Sequence, residues 1–182
     1  SREDDAMYYS RAWVRAKGFS KEEELGEPVM RGTLVAPKGW PVLTAMVNNV
    51  IRAGQPVKDT VNTAISVHGG KLLARMEQCR PSEISVSRKA EIRTLAASST
   101  LDGSIPPDPV TGGALGAHTK EDTRTGQSMC FTYNTYPAPT GVRYDVRSAD
   151  GALEHSTCIS MPVQTMVHDL AITDRYTVLL DL

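Results

Sequence analysis

The chain has 182 residues, with 20 Lys plus Arg against 21 Asp plus Glu and a formal net charge of -1. That balance argues against nucleic acid as a general partner. A hydrophobic content of 40% argues for a folded domain, and the length is enough for one domain with a real core.

Residues 7–17 hold an aromatic and β-branched run with Tyr8, Tyr9 and Trp13, three rings expected in a core. Residues 18–28 are charged and read as a loop. Residues 42–53 form the one convincing helix, because Leu43, Met46, Val47, Val50 and Ile51 recur at helical spacing. Asn48, Asn49 and Arg52 make its polar side, and Gly54 is its stop signal. Its apolar stripe has two readings: packing on the outside of the fold, or peripheral contact with a membrane surface together with Trp40 and Lys38.

Beyond the helix the pattern is short strands between turns. Residues 60–68 and 71–78 flank Gly69-Gly70, a hairpin signal. Weaker strands follow at 82–87 and 91–95, and then a Gly- and Pro-rich loop at 101–113. Strand-like stretches at 114–119 and 127–134 flank a turn at 122–126. Stretches at 141–147 and 152–160 flank Ala149-Asp150-Gly151. The last pair, 165–172 and 176–182, flanks a turn at 173–175.

No apolar run reaches the roughly 18 residues of a membrane span. The acidic start is not a secretory signal. Cys79, Cys130 and Cys158 are odd in number and form no CxxC pair, so free thiols in a reducing compartment are expected. His118 and His168 lie 50 residues apart and precede their turns at similar offsets. That spacing suits one four-stranded blade of a β-propeller, although β-sandwiches also produce regular hairpins. In a propeller the two histidines would occupy matching places on neighbouring first strands, near the central axis. His68 shares the spacing but not the phase; the matching place in its hairpin is nearer Asn62 or Thr63.

Three segments carry a resemblance. Val167-His168-Asp169-Leu170-Ala171-Ile172-Thr173, after a proline-containing stretch and before an apolar strand, is similar to a motif of the carotenoid cleavage oxygenases, with Leu170 where the family usually has Phe. Ala117-His118-Thr119-Lys120 resembles the family's Ala-His-Pro-Lys, with Thr119 in place of Pro. Thr60-Val61-Asn62-Thr63, its hairpin and Glu77 resemble a third motif, a strand and hairpin followed by a glutamate. The three occur in order along the whole chain but cover only part of the family's length.

The resemblance implies an all-β fold: a partial seven-bladed β-propeller of about three blades with one short amphipathic helix. Residues 1–182 would form a single incomplete propeller domain. It also implies an iron(II) centre held by four histidines, of which His118 and His168 would be the first two. Glu77 would be the carboxylate that orients a ligating histidine. His68 and His155 match no ligand motif. The expected activity of the full protein is cleavage by dioxygen of a conjugated C=C bond in a carotenoid, apocarotenoid or stilbene, in the cytoplasm or a plastid. The segment alone would lack two ligands. An isomerase or hydrolase on the same scaffold, and a non-catalytic binding propeller, are the competing expectations.

Overall fold

Among the described residues, ten short strands in three antiparallel sheets follow two helices. They are seen in a computed structural model, which describes residues 7–32, 40–105, 114–133, 141–162 and 167–180. The first sheet holds β1 (Ala64–His68), β2 (Lys71–Arg75), β3 (Ser82–Val86) and β4 (Ile92–Ala96). The second holds β5 (Lys120–Glu121), β6 (Ser128–Tyr133), β7 (Gly141–Arg147) and β8 (Leu153–Ser160). The third pairs β9 (Leu170–Ile172) with β10 (Thr177–Leu179). Strands are neighbours in sequence order within every sheet, as in the blades of a β-propeller.

The turns do what their residues allow. Gly69 and Gly70 both take positive φ, 56° and 71°, the backbone that a tight hairpin needs. Asp122 accepts the backbone N–H groups of Thr125 and Gly126 and so closes the turn after His118. Thr173 and Tyr176 close the last hairpin. The stretch at 114–119 is not a regular strand, and β5 is only two residues long. Of the expected elements, 106–113, Asn134, 165–166 and 181–182 lie outside the described residues.

Side chains, not main-chain bonds, join the sheets. Leu73, Leu101, Ile105, Leu115 and Cys130 form an apolar layer between the first and second sheets. Phe131, Tyr133, Val142, Val167 and Leu170 form the next layer, between the second and third. Leu170, where the family motif has Phe, is therefore a packing residue and is 3% exposed. At the other side of the first sheet, Ala74, Met76 and Ile84 pack with Val61, Cys79 and Ala16. Burial pushes the Cys79 thiol up to about 12, so it stays protonated.

One helix departs from expectation and the other meets it. Residues 18–28 contain a helix, α1 (Lys17–Leu25), ended by Gly26 in the left-handed region. No local side chain caps its start at Ala16. Asp59, some 40 residues on, accepts the backbone N–H groups of Lys17 and Gly18, both at 2.9 Å, and a bond from Gln55 at 2.8 Å. A cap supplied through the tertiary fold leaves no signal beside the helix.

Helix α2 (Trp40–Ala53) lies where the periodicity placed it, with its apolar stripe outward. Its buried positions are Ala45 and Asn49. The Asn49 amide accepts from the Arg31 N–H and donates to the carbonyls of Arg31 and Pro56. Leu43, Val47, Val50 and Ile51 are exposed, and so is Trp40. Tyr8, Tyr9 and Trp13 are likewise exposed, not in the core, because only Val14 and Ala16 of that segment reach it. Trp13 stacks on Phe19 instead.

Replacing Asp59 with alanine removes the side-chain acceptor of two N–H groups at the α1 start. It should lower unfolding free energy by about 1–3 kcal/mol in urea denaturation. Gly18→Ala should behave similarly, because an added Cβ would sit 2.5 Å from Asp59 Oδ1.

Candidate metal centre

Each sheet begins two residues after a polar side chain. Asn62 precedes Ala64, His118 precedes Lys120, and His168 precedes Leu170 by that same offset. The strand starts of the second and third sheets bring His118 and His168 together, whereas Asn62 is exposed and accepts a hydrogen bond from the Thr60 hydroxyl. The His118 and His168 rings meet edge to face with centroids 4.7 Å apart.

The segment bearing His118 is held straight against β6. The Gly116 N–H donates to the Phe131 carbonyl at 2.8 Å, and the Thr132 hydroxyl donates to the Ala114 carbonyl at 2.9 Å. Gly116 is required there, because a Cβ would lie 2.5 Å from the Phe131 oxygen. Leu115 and Ala117 point into the interior on either side of it. Val167 and Leu170, both buried, anchor the segment bearing His168 in the same way.

Glu77 follows the end of β2 and is 4% exposed. Its Oε1 faces Nδ1 of His168 as an ion-pair contact between the first and third sheets. A carboxylate on Nδ1 holds that nitrogen as an N–H donor and leaves Nε2 as the lone-pair donor. One donor atom each from Glu77, His118 and His168 lies within 4.8 Å of the others. Two imidazoles so placed, one of them backed by a carboxylate, suit a borderline divalent ion such as iron or zinc. Among the described residues this is the one such group of three. The Tyr133 hydroxyl, buried and without a hydrogen bond, lies close enough to Glu77 that burial first and the carboxylate second push it up.

Sequence reasoning missed Arg75, at the end of β2 and fully buried. Its Nη1 donates to the Thr119 hydroxyl at 3.1 Å, fixing the residue next to His118. Burial pulls its guanidinium down. The strand pattern hid it, since a lone Arg at a strand end ordinarily reads as exposed. Asp169 pairs with Lys120 at 2.7 Å. His68 is buried at the end of β1, with Nδ1 3.6 Å from Glu121, and burial pulls its imidazole down. His155 is exposed on β8. Among the described residues neither belongs to the group formed by Glu77, His118 and His168.

A family model for the retinal pigment epithelial membrane protein matches residues 2–182. The carotenoid 9,10(9',10')-cleavage dioxygenase of Crocus sativus is 30% identical over 187 residues, covering 98% of this chain and 32% of that protein. Its counterpart numbered 1 in Pisum sativum is 34% identical over 185 residues, covering 97% of this chain and 32% of that one. The crystal structure of lignostilbene dioxygenase from Pseudomonas brassicacearum superposes with a TM-score of 0.69 at 28% identity. That match covers 91% of this chain and 31% of the structure. The chain thus spans about a third of the length of these relatives.

The two charged side chains at the end of β2 should differ in how much stability their replacement costs. Glu77→Gln relieves a buried charge and loses one charge-assisted bond, so its unfolding free energy in urea denaturation should change by no more than about 1 kcal/mol. Arg75→Ala leaves a cavity and strands its partners, and should cost about 3–5 kcal/mol in the same measurement.

Proposed function

The chain belongs to the retinal pigment epithelial membrane protein family, and on that premise we propose that it is part of a non-haem iron(II) dioxygenase. The full protein would cleave a conjugated C=C bond of a carotenoid, apocarotenoid or stilbene with dioxygen, giving two carbonyl products. Residues 1–182 would be one portion of a single propeller domain.

The observation that carries this reading is the meeting of His118 and His168, from the starts of two different sheets, with the buried Glu77 on one of them. A buried carboxylate is costly unless it has a task, and here its partner is a half-exposed imidazole. In this proposal Nε2 of His168 and one nitrogen of His118 hold iron(II), and Glu77 fixes the His168 tautomer. Neutral imidazoles leave the charge of the ion largely uncompensated. Iron(II), when bound, supplies the electron-rich centre at which dioxygen is activated toward the alkene. The chain's own task is to aim the two imidazoles and to keep the apolar layer of Phe131, Val142 and Val167 packed behind them.

The family's centre has four histidines, and this segment matches two of those motifs. Residues 1–182 on their own are expected to bind iron weakly and to be inactive. The relatives act on carotenoids and on a lignostilbene by name, which supports a lipophilic polyene or stilbene substrate. The cytoplasm or a plastid suits three cysteines that form no disulfide. Isomerisation or hydrolysis on the same scaffold is set aside because the relatives above are dioxygenases by name.

No helix among the described residues is long and apolar enough to cross a membrane. The outward stripe of α2 supports peripheral contact instead: Trp40 and Ile51 are 78% and 77% exposed, with Leu43, Val47 and Val50 beside them. That contact would bring a lipid-dissolved substrate to the protein.

The test of the metal reading is anaerobic titration of the iron-free full-length protein with iron(II), together with oxygen consumption on a polyene or stilbene. Wild type should bind one ion per chain. His118→Ala and His168→Ala should each weaken binding by about 100-fold or more, and Glu77→Gln by about 10- to 100-fold. Absence of iron in wild type after reconstitution would contradict the proposal. For the membrane contact, Trp40→Glu with Ile51→Glu should lower binding to neutral phospholipid vesicles at least about tenfold in co-sedimentation, because two of the most exposed apolar groups are removed.

A further inference from the structure

The residues beside the two histidines contact each other. Lys120 stands two positions after His118, and Asp169 one position after His168. Lys120 Nζ lies 2.7 Å from Asp169 Oδ1, joining the first strand of the second sheet to the approach of the third. The same oxygen accepts the Leu170 N–H at 2.7 Å, so the carboxylate is fixed to its own backbone as well. Lys120 is fixed in turn by strand pairing with Met129.

The third sheet shares no backbone ladder with the second. Between those two sheets the described residues offer only one other direct polar tie, Tyr144 Oη to Thr177 Oγ1 at 2.7 Å, and it lies on β7 and β10, away from the strand starts. The apolar layer holds the sheets together but is non-directional and does not by itself set a sub-ångström offset between two side chains. A charge-assisted bond of fixed length does.

We propose that the Lys120–Asp169 ion pair is a positioning clamp that sets the separation of the two imidazoles. This rests on the reading of His118 and His168 as ligands of one ion. Neither Lys120 nor Asp169 touches the ion; both act through the backbone of the adjacent histidine. The pair is partly exposed, with side chains 36% and 46% accessible, so it adds little to global stability. Its effect belongs to geometry, and metal affinity should move where melting does not.

The test is anaerobic cobalt(II) titration of iron-free full-length protein, followed by the visible ligand-field absorption and paired with thermal melting. The variants are Lys120→Met, Asp169→Asn, their double, and Lys120→Arg. Asparagine retains the bond to the Leu170 N–H and methionine retains the lysine stem, so each removes the charge alone. Each single variant should weaken cobalt binding about tenfold, at the low end of what loss of a supporting contact costs. Each should also change the absorption band while leaving the melting midpoint within a few degrees. The double should be no worse than either single, the sign of a shared interaction, and Lys120→Arg should restore most of the affinity. Singles within about twofold of a wild type that binds cobalt, additive losses in the double, or affinity that falls only in step with melting would each overturn the clamp. A wild type that binds no cobalt at all would overturn the metal reading, and the clamp with it.

Discussion

Three sheets, each satisfied by its own backbone ladder, have no main-chain reason to sit in any fixed relation. What fixes them is the pair of apolar layers between their faces. Leu73, Leu115 and Cys130 close the first gap, and Phe131, Val142, Val167 and Leu170 close the second. Everything at the strand starts depends on those layers. The histidines follow buried neighbours, Ala117 and Val167, which are 2% and 0% exposed. Each imidazole is thus placed by an anchor immediately before it.

On that apolar frame the chain adds directional polar contacts at both ends of the sheets, and two of them support the histidine segments. Arg75 and Glu77 leave the end of β2 two residues apart and reach different targets. Arg75 reaches the Thr119 hydroxyl beside His118, and Glu77 reaches the ring of His168. One strand end of the first sheet therefore steadies both histidine segments. Burying a guanidinium and a carboxylate here is unfavourable in isolation. The arrangement makes sense if the geometry of two imidazoles is what the fold must secure.

Much of this was legible in the sequence for physical reasons. Turns announce themselves through glycines at positive φ and Asp or Thr caps, and the hairpins fell where those residues stand. The equivalence of His118 and His168 was legible because a four-stranded blade has a characteristic length, and Asn62 completes the series at the predicted place. What was not legible depended on distant partners. Helix α1 is capped by Asp59 through the tertiary fold, so its charged sequence resembled a loop. Helix α2 showed its period but not the burial of Asn49, which bonds to backbone groups of another segment. Tyr8, Tyr9 and Trp13 looked like core by composition, yet an extended segment buries only alternate small residues. Arg75 gave no sign, since its burial is made by the next sheet.

The central claim is that the two histidines share one metal ion and that Glu77 stands behind one of them. The most direct measurement is an anomalous difference map at the iron edge from crystals of the metal-loaded full-length protein. The account predicts a single peak bonded to Nε2 of His168 and to an imidazole nitrogen of His118, with Glu77 outside the coordination sphere on Nδ1 of His168. A peak elsewhere, or one at this site coordinated by Glu77 in place of either histidine, would contradict it.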